Sequence, residues 1–141
     1  MSLVLRVHHA VYTATDGRIG HRMLGVPTLM LTTTGRRSGQ SRTNSLVYAR
    51  DGGDFLLVAS KGGSDSPPAW LLNLTADPHV RVQVGRDRLD GVARVIESSD
   101  PDYRRAWKLV NDNNRDRYTA YQQHTSRPIP VVAITPGPAA P

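Results

Sequence analysis

The chain has no cysteine, so disulfides and thiolate chemistry play no part in it. Aromatic content is low at 6%, with one phenylalanine and two tryptophans beside five tyrosines. Proteins that stack successive bases of single-stranded nucleic acid need more rings than that, so nucleic acid is not the expected partner. Lysine is nearly missing: Lys61 and Lys108 are the only lysines among 18 basic residues, so arginine carries almost all the positive charge. No apolar run approaches the roughly 18 residues needed to span a bilayer, and none near the N-terminus is long enough for a secretory signal. A cytoplasmic protein is the expectation. The 12 acidic residues are scattered rather than paired, which argues against a two-carboxylate hydrolase. G-x-S-x-G, H-E-x-x-H and G-x-G-x-x-G are all missing, and Gln40 stands where a P-loop needs Gly-Lys-Ser/Thr. No side chain announces itself as a nucleophile, so the demanding chemistry of an enzyme built this way would belong to a bound cofactor.

What is present is organised around residues 32–44. Arg36, Arg37 and Arg42 lie between and beside Gly35 and Gly39, among threonine and serine hydroxyls, with the apolar runs 26–31 and 46–49 on either side. The pattern predicts two strands joined by a polar turn whose guanidinium forks, hydroxyls and backbone N–H groups suit phosphate or carboxylate oxygens. A solvated hairpin with ordinary surface arginines fits the stretch equally well. The net charge of +6 favours an anionic partner without choosing among nucleic acid, acidic lipid and a polyanionic small molecule.

With 141 residues, one domain is expected over 1–135, with a disordered Pro/Ala tail at 136–141. Leu3, Val7, Ala10, Val11 and Ala14 share one helical face, so residues 3–14 read as an amphipathic helix, the segment that could carry weak membrane association. Arg6, His8 and His9 lie beside that stripe as exposed helix residues. Strands are predicted at 28–33, 43–50, 55–59, 80–84, 88–96 and 129–134, and helices at 69–75, from Asp100-Pro101 to about 110, and at 115–124. Asn111 to Asn114 reads as a flexible polar interruption. Short hairpin-linked strands without helices between most of them point to a six-stranded antiparallel barrel or sandwich.

A second glycine-bearing loop, Ser60-Lys61-Gly62-Gly63-Ser64, follows the third strand, and the helix behind it carries Trp70 and Asn73. In a compact barrel the two loops could meet in one positive groove, with Ser38, Asn44 and Ser60 as neutral donors and Trp70 as a flat wall. Trp70 as plain core has equal standing. Tyr118 and Tyr121, three apart on a helix, read either as a lid over the groove or as barrel packing.

Together these stretches resemble the deazaflavin-dependent nitroreductase and quinone reductase family of actinobacteria, small enzymes that use coenzyme F420. The likeness rests on Gly25-Val26-Pro27, Leu31-Thr32-Thr33-Thr34-Gly35-Arg36-Arg37-Ser38-Gly39-Gln40, Arg42 and Asn44. It continues through Arg50-Asp51-Gly52-Gly53, Val58 to Gly63, Pro68-Ala69-Trp70-Leu71-Leu72-Asn73-Leu74, Asp77-Pro78 and Arg127-Pro128-Ile129-Pro130-Val131-Val132, spread over about 20–134.

The resemblance implies a split β-barrel of the flavin-reductase type and hydride transfer from reduced F420 to quinones, nitro compounds or α,β-unsaturated carbonyl compounds. It implies that Arg36, Arg37, Ser38, Arg42, Thr43, Asn44, Ser45 and Leu46 hold the cofactor's phosphate, anionic tail and ribityl chain. Val58, Ala59, Ser60, Lys61, Ala69, Trp70, Leu71, Leu72 and Asn73 would line the ring. Ser60, Tyr118 and Tyr121 would stand at the acceptor, and the protein would be a monomer or homodimer. The family's third C-terminal tyrosine is replaced near Arg115, and a further substrate-side tyrosine appears as Val47 with Tyr48 beside it. Two rivals remain: a flavin mononucleotide enzyme of the same barrel type, and a non-enzymatic basic module for nucleic acid or acidic lipid.

Overall fold

Alternating apolar residues and glycine turns give short antiparallel strands, and their register closes them on themselves. The computed structural model describes residues 22–23 and 26–137. The predicted helix 3–14, with Arg6, His8 and His9, lies outside the described residues, as do Gly25 and residues 138–141.

Among the described residues eight strand segments form one antiparallel sheet, not the six expected: β1 (Arg22–Met23), β2 (Val26–Thr34), β3 (Ser41–Val47), β4 (Ala49–Asp51), β5 (Asp54–Val58), β6 (His79–Val84), β7 (Asp87–Ile96) and β8 (Val131–Pro136). Seven of them are longer than the two-residue β1. Helix α1 (Ala69–Ala76) follows β5, and α2 (Tyr103–Asn113) and α3 (Arg117–Gln122) follow β7. No helix among the described residues is long and apolar enough to cross a membrane.

The extra strand comes from a corner. The predicted strand 43–50 breaks at Tyr48, so that its first half pairs with β2 and its second with β5. The Tyr48 backbone holds the corner through N–H to the Pro27 carbonyl (3.2 Å) and C=O from Asn113 Nδ2 (2.9 Å). The remaining order β2-β6-β7-β8-β5 carries the sheet round the other way. The result is a split β-barrel, closed by one bent strand.

Both faces of the barrel wall are covered. Leu29, Leu31, Phe55, Leu57, Val82, Val132 and Ile134 point inward, where Trp70, Leu71 and Leu74 of α1 pack on them. Leu56, Val58, Ile96, Val131 and Ala133 point outward beneath Ala106, Val110 and Tyr118 of α2 and α3. Each such aliphatic side chain, taken from water, contributes about 1.5–3 kcal/mol before chain entropy is set against it.

Three further expectations are corrected. Helix α2 begins at Tyr103, because the Asp100 carboxylate instead accepts the Asp102 N–H (2.8 Å) in a turn before it. The polar stretch 111–114 is no flexible interruption: α2 runs through it to Asn113, and Asn111 and Asn114 are buried. The Asn111 amide donates to the Trp107 carbonyl and accepts from the N–H and hydroxyl of Thr119, so it joins the two helices. Last, β8 extends to Pro136, opposite Gly91, where the tail was expected to begin.

Candidate functional site

The arginine turn is built by its glycines. Gly35 N–H donates to the Gln40 carbonyl at 2.7 Å and Gly39 N–H to the Gly35 carbonyl at 2.8 Å. A Cβ on Gly35 would fall 2.7 Å from Ser38 Oγ, and Gly39 has φ +71°, so both positions want glycine. Ser38 Oγ accepts the Gln40 N–H, which places the hydroxyl inside the turn.

One buried amide ties this turn to the barrel. Asn73 Oδ1 accepts from Arg36 N–H (3.2 Å) and Arg36 Nη1 (3.1 Å), and Asn73 Nδ2 donates to Thr33 Oγ1 (3.2 Å). Arg42 pairs with Thr33, Asn44 with Leu31 and Leu46 with Leu29. Directly opposed residues share a face, so Arg42, Asn44 and Leu46 stand on the inward side with Asn73. Thr43 and Ser45 stand on the other side, where the Thr43 and Thr32 hydroxyls meet at 2.9 Å. Arg37 and Arg42 are exposed, and among the described residues neither has an acidic partner.

The second loop leaves the same end of the barrel. Through the antiparallel order β2-β6-β7-β8-β5, β5 runs in the same direction as β2, so the chain beyond Val58 leaves the barrel at the end where the arginine turn follows Thr34. Alternation sends Ala59 to the inner cluster with Trp70 and Leu71, and Val58 to the outer one with Tyr118. Ser60 is 7% exposed, and its hydroxyl has no partner among the described residues. A buried hydroxyl without a hydrogen bond is uncommon and costs about 1–3 kcal/mol, so such a group needs a reason. Lys61, Gly62 and Gly63 all have positive φ (46°, 66° and 85°). The Lys61 ammonium is exposed, 3.4 Å from Ser66 Oγ.

Arg127, which the sequence did not single out as a site residue, binds this loop. Its guanidinium donates to the carbonyls of Ala59 (3.2 Å), Ser60 (3.0 Å) and Ser64 (3.0 and 3.2 Å). Nothing local marks it, since its acceptors are backbone atoms far off in the chain.

Trp70 is 5% exposed and plugs the inner cluster, while Ala69 and Leu72 face outward on the other side of α1. Helix α3 lies over the second loop: a Cβ on Gly63 would fall 2.6 Å from the Tyr121 carbonyl oxygen. Tyr118 is buried in the outer cluster, its ring edge-on to Tyr121 at 6.1 Å. Burial pushes the Tyr118 phenol up to about 12, against a hydrogen bond with Asn114 that pulls it down. At neutral pH that phenol stays protonated. The structure therefore gathers Arg36, Arg42, Asn44 and Asn73 on one side, and Ser60, Lys61 and Tyr121 around the second loop. Thr43, Ser45, Val58 and Tyr118 direct their side chains to the outer face.

The chain matches the family model for F420H(2)-dependent quinone reductase over residues 4–136. It is 53% identical over 133 residues to an F420H(2)-dependent quinone reductase of Mycobacterium tuberculosis, covering 94% of this chain and 89% of the relative. Among solved structures, an F420-H2 dependent reductase superposes with a TM-score of 0.67 at 38% identity, covering 77% of this chain and 93% of that one. A chain described as a domain-swapped dimer superposes with a TM-score of 0.70 at 34% identity, covering 92% and 96%.

Proposed function

The chain belongs to the F420H(2)-dependent quinone reductase family, and from that premise we propose that it transfers a hydride from reduced coenzyme F420 to a quinone, with nitro compounds and α,β-unsaturated carbonyl compounds as further acceptors. The observation that carries the reading is the arginine turn: Arg36 is pinned to α1 by a buried amide, and Arg37 and Arg42 have no carboxylate partner among the described residues. Cations left unneutralised beside an apolar barrel mouth fit a ring with a long anionic tail. A plain phosphate monoester, as in flavin mononucleotide, needs fewer of them.

When bound, the reduced deazaflavin supplies the hydride. Arg36, Arg37 and Arg42 would hold the phosphate and tail, with the Ser38 turn and the strand Arg42 to Leu46 along the ribityl chain. Ala59, Trp70 and Leu71, buried in the inner cluster, would back the ring from beneath, and Lys61 would be a further cation at its edge. Converting a quinone to a hydroquinone takes one hydride and one proton. The Ser60 hydroxyl, without a partner among the described residues, would hydrogen-bond the oxygen on which negative charge develops and hand on a proton from water. Tyr121, half-buried above the same loop, walls the acceptor pocket, and Tyr118 supports its ring from beneath. The relative described as a domain-swapped dimer supports a homodimer for this chain.

Fluorescence titration with F420, flavin mononucleotide and NADPH side by side tests the cofactor. F420 should bind at micromolar concentration or below, more weakly as salt rises. Equal or tighter binding of flavin mononucleotide would overturn the reading.

A further inference from the structure

We propose that Arg127 is a positioning residue for hydride transfer: its guanidinium locks the peptide planes on either side of Ser60 and holds a fixed positive charge behind them. The inference rests on the reading above, in which Ser60 stands at the acceptor.

Arg127 lies in the run before β8, 67 residues from Ser60, and spans the whole second loop, from the Ala59 carbonyl to that of Ser64. A guanidinium usually meets a carboxylate. Every partner of the Arg127 guanidinium among the described residues is a neutral carbonyl oxygen, and it forms no direct ion pair there. Asp65, the nearest acid in sequence to that loop, is instead hydrogen-bonded by the Thr125 hydroxyl at 2.6 Å.

The geometric consequence follows from the planar trans peptide. With the Ala59 and Ser60 carbonyls aimed at Arg127, the N–H groups of Ser60 and Lys61 in those same planes point away from it. The backbone here is unfavourable without support. Lys61 has φ +46°, a left-handed conformation that costs a non-glycine residue about 1–2 kcal/mol. A plane between an ordinary Ser60 and a left-handed Lys61 is the kind that can flip. One bond from the rigid fork holds the carbonyl of that plane, a second holds the plane before it and two more anchor the fork on Ser64, a set that a lysine ammonium cannot reproduce. Affinity should depend little on Arg127, because the anionic tail is held by the arginine turn on the other side of the groove.

The test uses the full chain with Arg127→Lys and Arg127→Ala, and three measurements. Single-turnover oxidation of reduced F420 by a quinone should slow about a hundredfold in Arg127→Ala, the order expected for roughly 1 Å of misplacement, and by less in Arg127→Lys. Cofactor affinity by titration should stay within about threefold in both. Amide hydrogen exchange on the cofactor-free protein should quicken at Gly63 and Ser64 and stay unchanged at β3. Should Arg127→Ala not fold, Arg127→Lys alone decides. Parental rate and parental loop exchange would overturn the proposal. So would exchange that quickens equally in every strand, since Arg127 would then be general packing. If the parent protein neither binds F420 nor reduces a quinone, the functional reading fails, while the exchange pattern still decides whether Arg127 locks the loop.

Discussion

Two loops leave the same end of this barrel, each bearing glycines, hydroxyls and at least one cation, and each following a strand. The turn at 35–40 is exposed, shaped by its own hydrogen bonds, and fastened to the body through Asn73. The loop at 59–64 starts from two buried residues, Ala59 and Ser60, lies under α3, and is gripped along its length by Arg127. Similar composition thus serves opposite ends. An exposed turn with free cations can gather a flexible anionic tail, whereas a buried, braced loop can hold a reacting group to a fraction of an ångström. The first should govern affinity and the second alignment.

The largest expected effect sets one glycine against another. In Gly63→Ala the new methyl would meet the Tyr121 carbonyl at 2.6 Å with φ at +85°, and the loss should be about 2–4 kcal/mol. Gly39→Ala carries the positive φ of 71° but meets nothing within 4 Å, so it should lose about 1 kcal/mol. Urea unfolding of both variants measures the difference, and equal losses would mean that the second loop is no more constrained than the first.

Next comes a crossed pair on function. Arg42→Ala removes a charged hydrogen bond of roughly 1.5–3 kcal/mol and should weaken F420 binding about 10- to 150-fold, with melting temperature unchanged because the residue is exposed. Ser60→Ala should leave affinity near the parent value and slow single-turnover quinone reduction by about ten- to a thousandfold. Were both variants to lose affinity and rate in the same proportion, the division of labour would be wrong.

A smaller effect separates the tyrosines. Tyr121→Phe should slow turnover several-fold with little change in stability. Tyr118→Phe removes a buried hydroxyl paired with Asn114 and should cost about 1 kcal/mol of stability, with a smaller change in rate. A rate loss confined to Tyr118→Phe would move the acceptor wall to that ring.

The mildest is a pH effect. Burial holds both Tyr103 and Tyr118 up at about 12. Between about pH 10 and 12 the unfolded chain ionises these phenols while the folded chain keeps them neutral, so stability is full below 10 and falls across that window. Melting curves should show this alkaline fall, flattened in Tyr103→Phe, whose hydroxyl otherwise donates to the Ile129 carbonyl. On the acid side, the Arg105 guanidinium holds the carboxyls of Asp51 and Asp102 below their usual range. Stability from that cluster is present above about pH 4 and lost below it, and Arg105→Met should remove this acid step.

Much of this was legible in the residues. Alternation in Val80, Val82 and Val84, the Asp51-Gly52-Gly53 turn and the Gly35 and Gly39 turn are short-range signals, because φ/ψ preference and burial period act over a few residues. The arginine cluster and its chemistry were likewise visible as a run. The break at Tyr48 was not, since nothing between 43 and 50 interrupts the strand pattern. The corner exists because β2 and β5 are the two edges left to be joined. Asn111 misled for a related reason. Among four polar residues it looked solvated, yet Thr119 and the Trp107 carbonyl satisfy its amide and let it be buried.

The sequence by itself determined most of the turns and the strand-forming stretches, which loops carry charge and which family the chain resembles, because each depends on neighbours along the backbone. Only the tertiary structure decided which side chains share a face and what holds the two loops. Strand register sent Arg42, Asn44 and Leu46 inward and Thr43 and Ser45 outward. Closure of the barrel brought Asn73 to Arg36, 37 residues away, and Arg127 to the Ser60 carbonyl, 67 residues away. A guanidinium that binds backbone carbonyls has acceptors at every residue of the chain, so its partner is chosen by position in space and leaves no mark in residue type.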